Sequence, residues 1–302
     1  MKKMILALLI MTINLNLNAQ QNYSPLYFCT GADTQYFHCL KQLIGSIHAT
    51  NFEHAAEIAV FNLGLTQEEI NLLNRMRKVK VYAMEMTHPD LLTHFTTKYG
   101  QKRGLFAWKP VAIKQALDLF PYVLWLDAGC LVMKPLDNLF QHIQQNGYFV
   151  ISGGHKIRTY TTRTIAEKFN LYQEGNNILD MDQLEAGLQG ICKSNRNAYN
   201  NYLLPVYEMS KQLHTYFTDD GSAPGGWGMA RQDQTLFSIV ARLAGLETQR
   251  AYCDPAQIIL PINGNSVPFY INTNWPPAPP ANTDIFVQAY GRINTEQYIV
   301  YR

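Results

Sequence analysis

The five cysteines of this chain form no CxxC pair and no Cys/His spacing suited to zinc. That excludes a cysteine-based zinc framework. Three of the five sit inside apolar strand-like or helix-like runs, so most read as small buried apolar residues. The other reading, for an exported chain, is one or two disulfides among Cys29, Cys39, Cys130, Cys192 and Cys253, with one cysteine left over. An excess of one charge is missing as well. Lys plus Arg is 25 and Asp plus Glu is 23 in 302 residues, a formal charge of +2. That balance excludes a nucleic-acid binder working by bulk charge. Beyond the N-terminus there is no run of 18 apolar residues, so no internal membrane span is expected. Internal repeats, low-complexity tracts and a clean domain break are also absent. What is present is 47% apolar and only 16% charged residues, enough for a large core. The 18 tyrosines suit a polar-aromatic cleft, though they also fill ordinary cores.

The first 19 residues stand apart. Lys2 and Lys3 precede the apolar run Met4 to Ile13, and a polar stretch ends at Ala19. This is the plan of a secretory signal cleaved after Ala19, leaving a single domain over residues 20–302 with no membrane span. The alternative is an N-terminal membrane anchor. Export implies a periplasmic, secreted or secretory-lumen protein. Removing residues 1–19 takes two lysines and no acids, so the mature formal charge is zero.

Strands alternate with helices over the first half. Leu26 to Thr30, Ile58 to Leu63, Val79 to Met84 and Tyr122 to Leu126 read as strands. Gln35 to Thr50 carries Phe37, Leu40, Leu43, Ile44 and Ile47 on one helical stripe. Thr66 and Glu69 form a capping box ahead of a helix over 67–76. Pro110 opens a helix through Leu119. The second half is less regular: strands over 147–153, 185–192, 258–261, 267–273 and 285–289, helices over 195–216 and 233–244. Trp275 to Pro280 reads as a stiff proline-rich loop. Alternation of this kind predicts an α/β fold, a mostly parallel central sheet flanked by helices. Ligands then bind beyond the carboxyl ends of the strands, at Thr30, Gly31, Asp33, Gly64 and Asp127.

Asp127 is the most informative residue. It directly follows a buried apolar strand, and burying a carboxylate is costly unless it is paired or binds a cation. It reads as a ligand or metal site, or as a turn aspartate. Lys109 at a helix start beside Trp108 reads as a site residue or a solvated surface lysine. Asp233 reads as a site residue or a helix-start charge favoured by the macrodipole. The glycines 225, 226 and 228 around Trp227 read as a lid or as a plain loop.

The segment from Val123 through Asp127 to Pro135-Leu136 resembles the strand-end aspartate signature of GT-A nucleotide-sugar glycosyltransferases, especially the family-eight, glycogenin-like branch. Other pieces agree in order across residues 26–292. Thr30-Gly-Ala-Asp33 resembles the opening strand that holds the nucleotide. Phe106-Ala-Trp-Lys109-Pro resembles the helix whose basic residue faces donor phosphates. Glu185-Ala-Gly187 resembles a strand that commonly carries Asn-x-Gly. Asp233-Gln234 resembles the helix start near the acceptor. Phe286 to Arg292 resembles the terminal His-x-x-Gly-x-Lys element.

The resemblance implies a Rossmann-like GT-A domain transferring a sugar, with retention, from a nucleotide-diphosphate donor to a glycan or protein acceptor. Asp127 and Asp233 are then the catalytic candidates. Thr30, Gly31, Asp33, Lys109, Gly187, Gln234 and Arg292 bind the donor. Two departures weaken the metal site: Gly129 replaces the second Asp of Asp-x-Asp, and Gln288 replaces a metal-binding His. Mn²⁺ or Mg²⁺ at Asp127 and Gln288 is expected to be weak or absent. In that case Lys109, Arg292 and Arg103 neutralise the leaving diphosphate. The same departures suit the alternative of a catalytically degenerate fold that binds a glycan or protein partner.

Overall fold

Every residue of Tyr122–Leu126 (β6) is buried, and the strand's side chains alternate between two cores. Val123 and Trp125 join Val111, Tyr202 and Phe237 on one side, whereas Leu124 and Leu126 join Phe28, Ile44 and Phe140 on the other. A strand covered on both faces needs the continuous apolar run that this segment has. The computed structural model describes residues 24–97, 100–250, 258–262, 265–269, 287–289 and 295–302; for 249–250, 258–262, 265–269 and 287–289 it describes the backbone.

The first half is a set of β-α units. Leu26–Ala32 (β1), Ala55–Asn62 (β2) and Val79–Ala83 (β3) are joined by Phe37–Asn51 (α1) and Gln67–Arg75 (α2). On α1, Leu40, Leu43, Ile44 and Ile47 form the buried stripe. The capping box of α2 is present, with Thr66 accepting from the Glu69 amide at 3.2 Å and its own amide donating to Glu69 at 2.8 Å. A hairpin, His94–Thr97 (β4) and Gly100–Arg103 (β5), leads to Trp108–Leu119 (α3) and then β6. Next come Cys130–Val132 (β7), Asp137–Asn146 (α4), Tyr148–Lys156 (β8), Arg163–Lys168 (α5) and Asp182–Cys192 (β9). Leu204–Ser210 (α6), Leu213–Tyr216 (α7), Gln232–Leu243 (α8) and Gln249–Arg250 (β10) follow.

The main sheet has seven strands in the order β10-β8-β9-β6-β1-β2-β3. β1 pairs in parallel with β2 and β6, and β2 with β3. Only β9 runs against its neighbours β6 and β8. The fold is therefore α/β, a mixed but mostly parallel sheet flanked by helices, as the alternation of elements implies. Ile258–Ile262 (β11) pairs with Asn265–Phe269 (β12), and Val287–Ala289 (β13) lies antiparallel to β7.

The expected single helix over 195–216 is instead three pieces. A π-helical stretch, Asn197–Leu203, runs into α6, and α7 follows after a break. Pro205 supplies no backbone N–H to continue the ladder, which is one reason for the irregular run. The hairpin β4–β5 and helices α4 and α5 were not expected from the sequence. The proposed signal segment, Cys253, and the loop over 275–280 lie outside the described residues. Cys29, Cys130 and Cys192 are buried and free, and Cys39 is free and partly buried.

Candidate active site

Parallel strands β1, β2 and β6 end on one edge of the sheet, and the N-termini of α3 and α8 reach the same edge. Asp127 is the first residue past β6. Its amide donates to Gly187 O at 2.9 Å and its carbonyl accepts from the Cys130 amide at 2.9 Å, which fixes the turn. Trp125 lies two residues back on the strand, so it shares a face with Asp127, and its Nε1 donates to Asp127 Oδ1 at 2.8 Å. Gly187 on β9 leaves the carboxylate its space: a Cβ there would lie 3.0 Å from Asp127 Oδ2.

Lys109 lies in the first turn of α3 and is 4% exposed, so it is not a solvated surface lysine. Its Nζ stands 3.1 Å from Asp127 Oδ1 and 2.7 Å from Asp233 Oδ2. It also donates to Ala186 O at 3.5 Å. Burial opposes the ammonium, yet the two carboxylates outweigh it and hold Lys109 above its ordinary range. Asp233 is buried in the first turn of α8, where the helix dipole favours an anion. Two carboxylates share one ammonium, so the group keeps one net negative charge. Asp127 is the more open of the two aspartates, its side chain 33% exposed against 7% for Asp233.

A second pair sits at the end of β1. Arg103 Nε donates to Asp33 Oδ2 at 2.9 Å, and Arg103 NH1 donates to Leu92 O at 2.8 Å. His94 Nε2 lies 3.8 Å from the same Asp33 oxygen. Thr30 is buried at the end of β1, and its hydroxyl has no hydrogen-bond partner among the described residues. Gly31 packs against Leu63 and Trp108. Between Arg103 and Lys109 the chain turns sharply. Gly104, Leu105 and Phe106 have φ of 50°, 48° and 66°. At Gly104 a Cβ would meet Leu91 O at 1.8 Å, so only glycine fits. Trp108 Nε1 closes the turn by donating to Arg103 O at 3.0 Å.

A third feature borders the site. Lys102 Nζ donates to Ala230 O at 3.1 Å, tying β5 to the loop that carries Trp227. Asp219 accepts from the Gly221 and Gly228 amides at 3.0 and 2.7 Å, which staples that loop. Burial lowers the Lys102 pKa against the pull of Asp219 and Asp233. Glu185, two residues before Gly187 on β9, has its carboxyl pushed up by burial; Arg231 opposes the shift and Asp127 adds to it. Gln234 accepts from Arg231 at 3.5 Å.

The structure thus joins Asp127, Lys109, Asp233 and Gly187 in one contact group, with Asp33 and Arg103 in a separate one. Arg292 lies outside the described residues. Gln288 is placed by its backbone alone, opposite Leu131 in the β13–β7 pair, one strand from the Asp127–Cys130 turn. Sequence reasoning missed Trp125 as a partner of Asp127, although the i, i+2 spacing on a strand was there to be read. The pairing of Lys109 with both aspartates had no sequence signal, since the three come from distant segments.

The described residues around Asp127 fit a divalent ion poorly. Gly129 has no side-chain ligand atom, and the Asp127 carboxylate is engaged by Lys109 and Trp125. The ammonium of Lys109 occupies the place between two carboxylates where a cation would otherwise balance them.

No family model and no curated protein matches the chain. Similar folds occur in glycosyltransferases. A galactosyltransferase, LgtC, in complex with donor and acceptor sugar analogues, aligns with a TM-score of 0.48 at 14% identity, covering 90% of this chain and 94% of that one. The bifunctional glycosyltransferase WbbM in its apo form aligns at 0.44 and 12% over 72% of this chain, which spans only 37% of WbbM. Core-mannan synthase A from Aspergillus fumigatus, in an Mn/GDP form, aligns at 0.44 and 10%, over 78% and 74% of the two chains. The likeness is one of α/β architecture; no residue role is taken from it.

Proposed function

We propose that this chain transfers a sugar from a nucleotide-diphosphate donor to a glycan or protein acceptor, with the reaction centred on Asp127. The observation that carries the reading is the buried Lys109 ammonium gripping Asp127 and Asp233 at the carboxyl edge of the sheet. A lysine 4% exposed and held between two carboxylates at the edge of the sheet is a costly arrangement that packing alone does not require.

The residues divide the work as follows. Thr30, Gly31 and Asp33 meet the nucleoside, with Arg103 holding the Asp33 carboxylate in place. Lys109 fixes the two aspartates rather than contacting phosphate directly, which revises the role its sequence context implies. The residual negative charge of the group stabilises an oxocarbenium-like transition state at the anomeric carbon. Gly187 leaves room for the sugar beside Asp127. Neutralising the departing diphosphate falls to Arg292 and Lys102. No step is assigned to a divalent ion. Export through the N-terminal segment remains part of the proposal, with the mature chain beginning after Ala19.

Gly129 in place of the second aspartate favours one other reading, a fold that binds a glycan or protein partner without turnover. Release of UDP or GDP from nucleotide sugars, measured with and without Mn²⁺ across a donor panel, decides between them. Turnover that Asp127→Asn abolishes supports the enzyme. Saturable glycan binding with no nucleotide release supports the binding protein.

A further inference from the structure

A second polar cluster lies away from the aspartate centre. His88 and Asp90 belong to the segment between β3 and β4, and His214 belongs to α7, so residues 124 positions apart meet. His214 Nε2 is 2.8 Å from Asp90 Oδ2. Ligand atoms of His88, Asp90 and His214 all lie within 4.8 Å of one another. The two imidazoles meet edge to face, with ring centroids 5.0 Å apart. His88 Nδ1 accepts the Asp90 N–H at 3.1 Å, so its lone pair points at this segment, and a metal on that nitrogen would replace the Asp90 N–H. Thr93 Oγ1 donates to Asp90 Oδ1 at 3.3 Å, which orients the carboxylate and leaves Oδ2 facing His214. Phe95 covers one side of His214, its ring centroid 6.0 Å away.

From this juxtaposition we infer that His88, Asp90 and His214 form a zinc site. Two imidazoles and one carboxylate are the ligand set of a borderline first-row ion, and unlike the all-oxygen sets of magnesium or calcium. Zinc bound by three protein ligands keeps one position open, and the exposure of His214 leaves room for water there. Tetrahedral bonds of about 2.0–2.1 Å require the three atoms to draw closer. The partly exposed side chains allow this without moving the core. Zinc takes the place of the proton that now joins His214 Nε2 to Asp90 Oδ2. That proton moves to Nδ1 of the same ring or leaves to solvent. Thr93 supplies the outer hydrogen bond that fixes a ligating carboxylate.

The segment is already held at other points. Thr87 Oγ1 is 3.1 Å from Ser210 Oγ, and Tyr207 donates to Glu85 at 2.7 Å. Zinc would add a stronger fastening between the β3–β4 segment and α7. Leu92, two residues beyond Asp90, accepts from Arg103, so the fastening stands behind the Arg103–Asp33 pair.

The test uses the untagged chain, stripped with chelator and titrated with Zn²⁺ by calorimetry in the absence of nucleotide. We expect one equivalent bound with micromolar affinity, and X-ray absorption at the zinc edge with two imidazoles in the first shell. His214→Gln, at an exposed position, should weaken binding by about 100-fold or more, as should His88→Gln. Thr93→Val should cost about 10-fold. Asp127→Asn should leave the affinity unchanged. No binding up to millimolar zinc, or binding that survives both histidine substitutions, overturns the site. Loss of zinc in Asp127→Asn overturns it too, by moving the ion to the other centre.

Discussion

The two ends of the sheet treat buried polar groups in opposite ways. At the carboxyl ends of the strands charged groups are paired with one another: Lys109 between Asp127 and Asp233, Arg103 on Asp33. At the other end, where α1 finishes, the buried polar residues are neutral and bond to backbone. His48 accepts from the Val300 amide at 3.0 Å and faces Arg77 O at 3.0 Å. Asn51 accepts from the Leu136 amide at 2.7 Å. Neutral side-chain-to-backbone bonds hold structure at small desolvation cost, whereas buried charge is expensive. The expense is concentrated where a charged ligand would meet it.

The comparison breaks most visibly at Lys109. Lys109→Met leaves Asp233 buried and unpaired beside a half-buried Asp127, and we expect a loss of about 3–5 kcal/mol in urea unfolding. Adding Asp233→Asn should recover part of it. If the single variant unfolds like the parent, Lys109 is not the keystone of that end.

Asp127→Asn sharpens the same contrast, because Asp233 still pairs the ammonium at 2.7 Å. Folding should change little, while turnover falls by about 3 kcal/mol in barrier, roughly 100-fold or more. Unchanged turnover at the parent's stability removes Asp127 from the chemistry.

At the neutral end the handle is pH. Burial pushes His48 down to about 4. The unfolded value is about 6.5, so the folded state favours the neutral ring. That stability is fully present above about pH 6.5 and is lost as pH falls toward 4, up to about 3 kcal/mol before solvent screening. His48→Gln should flatten the unfolding free energy across that window. A slope identical to the parent's would place the acid sensitivity elsewhere.

The smallest expected effect concerns divalent ions. Excess EDTA should change donor turnover by less than about 10-fold, since an ammonium already bridges the carboxylates. Complete loss of turnover on chelation that is also seen in His214→Gln, which lacks the zinc site, would mean that Lys109 yields its place to a metal.

Much of the first half was legible in the residues. The apolar run of β6, the stripe on α1 and the Thr66–Glu69 box each have a local cause, and each element formed where that cause lay. Asp127 could be singled out because a carboxylate after a buried strand is a local anomaly. Its partners were hidden: Lys109 and Asp233 become neighbours only once α3 and α8 converge, and no spacing along the chain records that. The helix over 195–216 was misjudged because apolar periodicity does not reveal a π-helical register. The hairpin β4–β5 is short and polar, so it offered no periodic signal. The His88, Asp90 and His214 cluster escaped for the same reason as the lysine bridge, being assembled from two distant segments.

The left-handed elbow at Gly104, Leu105 and Phe106 has a consequence for how the gene can vary. It separates Arg103 from Lys109 by six positions while aiming them at different carboxylates. One residue gained or lost between the elbow and Lys109 would turn the start of α3 by about 100°. The ammonium would then face away from both aspartates. Substitutions elsewhere in loops are absorbed one at a time, but here a single-codon insertion or deletion disconnects the helix from the site. Related sequences should therefore differ in length on either side of residues 103–109 and never within them.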